Sequence, residues 1–252
     1  MVLALTGLLV KNKADIIKMD LTTWRFIVDY EILYPGAFPL LKMQLQQGEC
    51  LKAESDAMVS MSTSIDVEGK MDGGFLGGIG RMLAGEKFFF QTLTARRGSG
   101  EVTLAPSIPG DIIDVDLDGS YSLVVQKDGF LAGTMEIEVS SKMQNLMQGM
   151  FSGEGFFTLK VSGKGTVFLN SYGAIHAVNL EAGEERIIDN NHLVAWPDYM
   201  EYKIEKATSG WISSFTSGEM MVCRFKGPGV VLIQTRNPKA FGEWAKSLLP
   251  GK

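Results

Sequence analysis

The stretch Gly153-Glu154-Gly155-Phe156-Phe157-Thr158-Leu159-Lys160-Val161-Ser162-Gly163-Lys164-Gly165-Thr166-Val167-Phe168-Leu169 decides how this chain is read. It holds a Gly-Glu pair, a bulky pair, a Gly-x-Gly and then apolar residues at alternate positions. The same order occurs at Gly85-Glu86, Phe88-Phe89, Gly98/Gly100 and Val102/Leu104, and again at Gly218-Glu219, Met221-Val222, Gly227/Gly229 and Val231/Ile233. The Gly-Glu pairs lie 68 and 65 residues apart. Side chains two apart on a strand share one face, so each alternation buries one side of a strand against a facing sheet. The glycines give the backbone freedom for a reversal between antiparallel strands. Gly48-Glu49 followed by Leu51 reads as a degenerate earlier start that lacks the Gly-x-Gly. Intervals of this length exceed those of short solenoid repeats and favour two packed sheets or two similar sandwich halves.

Outward from these repeats the chain is punctuated by 29 glycines and 8 prolines, with short runs rich in Val, Ile, Phe, Thr and Met between them. Such spacing predicts many short strands. They are placed at 24–33, 57–64, 88–95, 101–105, 111–117, 121–125 and 135–139, then at 156–161, 166–169, 174–180, 192–196, 200–206, 220–225 and 230–235. Asp118-Gly119 and Asp128-Gly129 offer left-handed positions for tight hairpins. At the carboxyl end Asn237 caps a helix that starts at Pro238, with Phe241, Trp244, Ala245 and Leu248 on one face laid onto a sheet. The fold class is therefore all-β: a duplicated β-sandwich with short connector helices and a short C-terminal helix. The halves are placed at 1–130 and 131–252, with a boundary good to about 20 residues and strands free to cross between them.

Composition bounds the partners. The 252 residues carry 24 basic and 29 acidic side chains, a net charge of −5, in no long block of either sign. A phosphate-neutralising protein needs a basic stripe, so nucleic acid is not expected as a partner. Cys50 and Cys223 stand far apart outside any Cys-x-x-Cys spacing and read as two reduced thiols in preference to one long-range disulfide. The apolar run 1–10 is too short to cross a bilayer, and Lys11 and Lys13 follow it instead of preceding it, unlike a signal peptide. A cytoplasmic protein without a transmembrane segment is expected, the run serving as an edge strand or cap.

Residues 73–86, Gly-Gly-Phe-Leu-Gly-Gly-Ile-Gly-Arg-Met-Leu-Ala-Gly-Glu, followed by Phe88-Phe89, resemble the signature of a prokaryotic family of unknown function. That family is related to the mitochondrial biogenesis protein of the altered-inheritance-of-mitochondria group. Phe151-Ser152-Gly153-Glu154-Gly155-Phe156-Phe157, the segment Gly163 to Leu169 and Ser171-Tyr172-Gly173 are similar to its second signature, and the resemblance spans about residues 20–249. It implies duplicated β-sandwich domains like those of the tryptophan RNA-binding attenuation protein, assembled as homotrimers with pseudo-sixfold symmetry. It implies neither RNA nor tryptophan binding, since a shared framework does not fix function, and it supplies no catalytic residue.

The residues that could carry chemistry are few. His176 and His192 both fall in apolar strand contexts and read first as hydrogen-bonded structural histidines. Asp114, Asp116 and Asp118 share a strand face, with Asp111 nearby, and such like charges call for solvent, a basic partner or a cation. No metal or cofactor is assigned. The Gly73 to Gly80 segment lacks the endings of a phosphate loop, and no serine or cysteine stands in a nucleophile motif.

An interaction surface is better supported. Phe75, Leu76, Ile79, Met82 and Leu83, then Met143, Leu146, Met147, Met150 and Phe151, approach short helical spacing just upstream of the Gly-Glu pairs. Methionine, with 14 copies in the chain, makes adaptable apolar contacts. These connectors are read as caps on the sandwich ends, subunit contacts, or a docking face for a protein or a membrane surface. The expected function is a non-catalytic, self-associating scaffold or protein-binding module. The alternative is an enzyme or small-ligand sensor with a site between the halves or subunits, marked by His176 or His192 beside a carboxylate.

Overall fold

The computed structural model describes residues 29–70, 90–144, 156–206 and 221–249. After strand β1 (Asp29–Leu33), the strands are β2 (Leu40–Leu45), β3 (Cys50–Glu54), β4 (Met58–Met61), β5 (Ile65–Lys70), β6 (Phe90–Ala95) and β7 (Gly100–Leu104). Next come β8 (Ile112–Asp118), β9 (Leu123–Gln126), β10 (Phe130–Thr134), β11 (Ile137–Gln144) and the long β12 (Phe156–Asn170). The last set is β13 (Ile175–Leu180), β14 (Glu185–Asp189), β15 (Leu193–Pro197), β16 (Glu201–Lys206), β17 (Met221–Lys226) and β18 (Gly229–Gln234), followed by helix α1 (Pro238–Ser247). The protein is mostly β, built of antiparallel sheets with one short C-terminal helix among the described residues.

Strand pairing shows how the repetition is built. In the first set β7 lies between β2 and β4, and β6 lies between β3 and β5. The second set repeats this with one strand doing both jobs. The far half of β12 lies between β8 and β10, and its near half between β9 and β11. In the third set β18 lies between β13 and β15, and β17 between β14 and β16. The described residues thus form three like units, each a pair of three-stranded half-sheets packed face to face. Residues 130–131 fall inside the second unit, so its strands lie on both sides of the expected boundary.

Finer details agree. β4 shifts register between Met58 and Ser60, β10 between Phe130 and Ala132, and β15 between Leu193 and Ala195. The same bulge therefore sits in the same strand of all three units, leaving Val59, Leu131 and Val194 as the extra residues. The expected inward alternation is present too: Val102, Leu104, Val167, Leu169 and Val231 are buried, and Ile233 is partly so.

Each unit borrows from the next. β3 pairs with β10, matching Ala53 with Ala132 and Leu51 with Thr134. β9 pairs with β15, matching Val125 with Ala195 and Leu123 with Pro197. The first core, around Leu41, Met43, Leu51, Leu93 and Val102, accordingly takes in Leu131, Ala132 and Phe168 of the second unit. The second core takes Val194, Ala195 and Leu232 from the third. Full burial of a Leu or Phe side chain contributes about 1.5–3 kcal/mol, so these borrowed residues bind neighbouring units into one body. The third core gathers Trp196, Phe225 and Met200, with the Trp196 ring edge-on to Tyr202 and Phe225.

Several expectations change. The Gly-x-Gly motifs do not reverse hairpins. Gly98 and Gly100 lead from β6 to β7, and Gly227 and Gly229 lead from β17 to β18, strands that belong to different sheets. Gly163 and Gly165 lie inside β12, joining the expected strands 156–161 and 166–169 into one bent strand. Each motif is a corner where the chain passes from one half-sheet of its unit to the other. Asp118-Gly119 does supply a left-handed glycine, with φ of 88°, whereas Gly129 is not left-handed. Neither turn joins strands that pair with each other, because β8, β9 and β10 bond instead to β12. The strand expected at 57–64 is the shorter β4, and β2, β3, β5, β10 and β14 are additional. The strand expected at 24–33 is described only as β1, and the run 1–10 lies outside the described residues.

Helix α1 forms as expected, with Asn237 Oδ1 accepting from the Ala240 amide at 3.1 Å. It is not laid on a sheet. Phe241 meets the Tyr172 ring at 5.6 Å, Tyr172 lying between β12 and β13, while Trp244 meets Phe241 and stays 58% exposed.

Candidate functional site

The three aspartates of β8 do share a face, and each accepts from a neutral donor. Tyr30 Oη donates to Asp114 at 2.8 Å, Thr166 Oγ1 to Asp116 at 2.8 Å, and the Ser120 amide and hydroxyl to Asp118 at 2.8 and 2.6 Å. The Ser120 bonds hold the Asp118 carboxyl below its usual range. Among the described residues, no cluster of three His, Cys, Asp or Glu side chains is arranged to hold a metal ion.

The histidines are apart in role. His176 sits on the exposed side of β13. His192 is not in a strand interior but ends a 3-10 turn, Asn190–His192. Its Nδ1 lies 2.7 Å from the Gln234 carbonyl oxygen; a carbonyl only accepts, so Nδ1 carries the proton. The turn is held by Asp189, which accepts from the Asn191 amide, by Gln126, which donates to Asn190, and by Gln234, which donates to the Asn191 carbonyl. This network holds the approach to β15. Beside it the Cys223 thiol is buried and pushed up to about 12, chiefly by burial and then by Asp189, so it is not a nucleophile at neutral pH. Cys50 and Cys223 form no disulfide.

One titratable group went unnoticed in the sequence. Glu54 ends β3 at the joint between the first two units, and its carboxyl is pushed up to about 7 by burial, then by Asp128 and Asp56. Asp128 arrives from the β9–β10 turn, where its carbonyl accepts from Asn170 Nδ2 at 3.0 Å. The buried Asn170 Oδ1 has no partner among the described residues. Only the folded joint brings Asp128 to Glu54, and no local pattern signals it.

Of the connector residues, Met143 lies in β11, opposite Phe157 in register, instead of on a helical turn. Phe75, Leu76, Ile79, Met82, Leu83, Leu146, Met147, Met150 and Phe151 lie outside the described residues, as do the expected connector helices. The strands they join are informative. Lys70 pairs with Phe90, Gln144 with Phe156, and Lys206 with Met221. The three Gly-Glu pairs therefore fall in equivalent connections of the three units. The third connection, residues 207–220, carries Trp211, Ile212 and Phe215; registering it on Gly218-Glu219 would have revealed them from sequence.

The described surface offers one further contrast. β10 and β15 are buried along their lengths, but β4, in the same position of the first unit, leaves Met58, Val59 and Met61 exposed. Among the described residues no strand pairs beyond β4, which ends the order β1-β2-β7-β4, or beyond β14, which begins the order β14-β17-β16.

The family model described as mitochondrial biogenesis AIM24 matches residues 30–236. An uncharacterized protein of Streptococcus pyogenes serotype M6 is 30% identical over 240 residues, covering 92% of this chain and 94% of that protein. A crystal structure of a Streptococcus pyogenes protein superposes with a TM-score of 0.74 at 30% identity, covering 88% of this chain and all of the other. Among the described residues no helix is long and apolar enough to cross a membrane.

Proposed function

This chain belongs to the AIM24 family, and from that premise we propose that it is a non-catalytic scaffold that self-associates, as a trimer, and displays repeated copies of one surface to a protein partner. The observation that carries this reading is the threefold unit, which ends in an exposed apolar strand, β4, where the other two units place buried ones. Repetition within the chain and among copies multiplies a weak contact: once one site is engaged, the next binds at a high effective concentration. The apolar connections of the three hairpins supply the contact surface between subunits in this reading. Asp114, Asp116 and His192 are engaged in internal hydrogen bonds.

Leu83→Asp and Met147→Asp test it. Light scattering is expected to show a lower assembled mass while circular dichroism keeps its β signal. Full mass in folded variants would contradict the role of the connections, and liposome co-sedimentation that these variants lose would assign them to lipid docking. A second reading, a small-ligand sensor with its site between units, is favoured by Glu54 alone. A thermal-shift screen at pH 6 and pH 8 whose hits disappear in Glu54→Gln would establish it.

A further inference from the structure

We propose that the end of the molecule formed by helix α1 and three uncharged turns rests on an anionic lipid surface, with the apolar face of the helix set into the headgroup layer. This surface is separate from β4, and the proposal stands independently of self-association.

A chain of contacts brings the four segments together. The Ala37 carbonyl, between β1 and β2, accepts from the Gly110 amide at 2.9 Å; the Pro109 carbonyl accepts from the Gly173 amide at 3.0 Å, and Gly110 bridges to Gly173. The Arg236 amide donates to the Tyr172 carbonyl at 3.2 Å, and the Tyr172 ring meets Phe241 on the helix. The turns read Tyr34-Pro35-Gly36-Ala37-Phe38-Pro39, Ala105-Pro106-Ser107-Ile108-Pro109-Gly110 and Ser171-Tyr172-Gly173-Ala174, and none holds a charged side chain. Turns that face water are ordinarily polar.

Apolar exposure concentrates at this end. Tyr34 and Phe38 are 71% and 73% exposed, and Phe241, Trp244, Leu248 and Leu249 lie between 49% and 69%. No residue of α1 is buried, so the face that carries Phe241, Trp244 and Ala245, and continues to Leu248, is not used to close a core. A helix so placed keeps its apolar stripe for something outside the described chain.

Charge selects the occupant. Over residues 236–249 Arg236, Lys239 and Lys246 stand against the single acid Glu243, in a chain whose net charge is −5. By helical periodicity Lys239 and Lys246 lie opposite Phe241 and Leu248. A basic polar face behind an apolar face of Trp, Phe and Leu is the pattern of helices that lie in a membrane interface. Tryptophan favours the headgroup level, and anionic headgroups attract each nearby lysine or arginine. A symmetric contact between two copies of this helix would instead set basic groups against basic groups.

The test is co-sedimentation of the full chain with vesicles of phosphatidylcholine alone, or of phosphatidylcholine with about 30% phosphatidylglycerol, at low and high salt. Wild-type protein is expected to sediment with the anionic vesicles, several-fold less with the neutral ones, and progressively less as salt rises. The double variant Trp244→Ser, Leu248→Ser should bind about ten-fold or more weakly. Lys239→Glu with Lys246→Glu should remove the preference for anionic vesicles, and decides the matter if the serine variant misfolds. Phe38→Ser should weaken binding and leave its salt dependence unchanged. Circular dichroism and light scattering of all variants should match wild type, since every substituted side chain is exposed. Absence of sedimentation with either vesicle would overturn the proposal. So would binding that the helix variants leave unchanged, which would put lipid contact on another surface. A lower assembled mass in the serine variant would also overturn it and assign the face to a contact between copies. Loss of vesicle binding with an unchanged assembled mass supports the lipid surface, and no vesicle result bears on the self-association reading, which rests on the mass of Leu83→Asp and Met147→Asp.

Discussion

β4 and β10 occupy the same place in two copies of one unit, carry the same bulge and face opposite surroundings. Phe130, Leu131 and Ala132 are sealed, and β3 of the preceding unit pairs with β10 at Ala132–Thr134; Met58–Met61 have no such neighbour strand among the described residues. Burial of this strand is thus a property of the joint between units and not of the unit itself. A contrast of this kind can be broken by mutation.

The largest difference is expected for a buried charge. Leu131→Asp places an unpaired carboxylate in the first core and should cost about 4 kcal/mol or more, a large part of a typical domain's stability. Val59→Asp, measured by urea unfolding at low protein concentration, should stay within about 0.5 kcal/mol. Similar losses at both positions would mean that β4 is covered within the single chain.

The corners provide the next test. Gly163 has φ of 105° and lies so close to the Glu136 carbonyl oxygen that a Cβ would collide with it. Gly98, the corner of the first unit, has φ of 133° and open space around it. Gly163→Ala should therefore cost about 3 kcal/mol, combining strain and displacement, and Gly98→Ala about 1 kcal/mol from strain alone. Equal costs would show that the two corners are not packed differently.

The smallest effect concerns pH at the first joint. Glu54 holds its proton in the folded state up to about 7, well above the 4.5 of an ordinary glutamate. Between those values the folded chain binds more protons than the unfolded one, so stability is fully present below pH 4.5 and is lost as pH rises through 7. Solvent screening keeps the effect to about 1 kcal/mol. Glu54→Gln should be the more stable form at pH 8 by that amount and equal to wild type at pH 4, in parallel urea titrations. The second joint ends β9 with Gln126, which does not titrate, so the pH response belongs to the first joint alone.

Much of the architecture is legible in the sequence because it rests on local chemistry. The alternating Val102/Leu104 type of pattern and the Asn237-Pro238 helix start each act within a few residues. What is not legible depends on partners distant in sequence. A Gly-x-Gly specifies unusual backbone angles but not whether the chain then returns to its own sheet or crosses to another. β10, Phe-Leu-Ala-Gly-Thr, is poor in β-branched residues because its place in the sheet is set by β3 and β12 on either side. β14 has only two apolar residues, as a strand with one paired edge can afford. Among the candidate residues, the apolar neighbours of His192 suggest a strand interior, whereas the fold places it on a turn beside the distant Gln234 carbonyl, and Glu54 and Asp128 meet only after the units have docked.

The central claim is that the protein self-associates and that the exposed β4 takes part in the contact. Hydrogen exchange, read by mass spectrometry at low and high protein concentration, tests it most directly. The amides of Met58–Met61 should become protected as concentration rises, while those of Phe130–Thr134 and Leu193–Pro197 remain protected throughout. Exchange in Met58–Met61 that is independent of concentration, in protein that is demonstrably assembled, would contradict it.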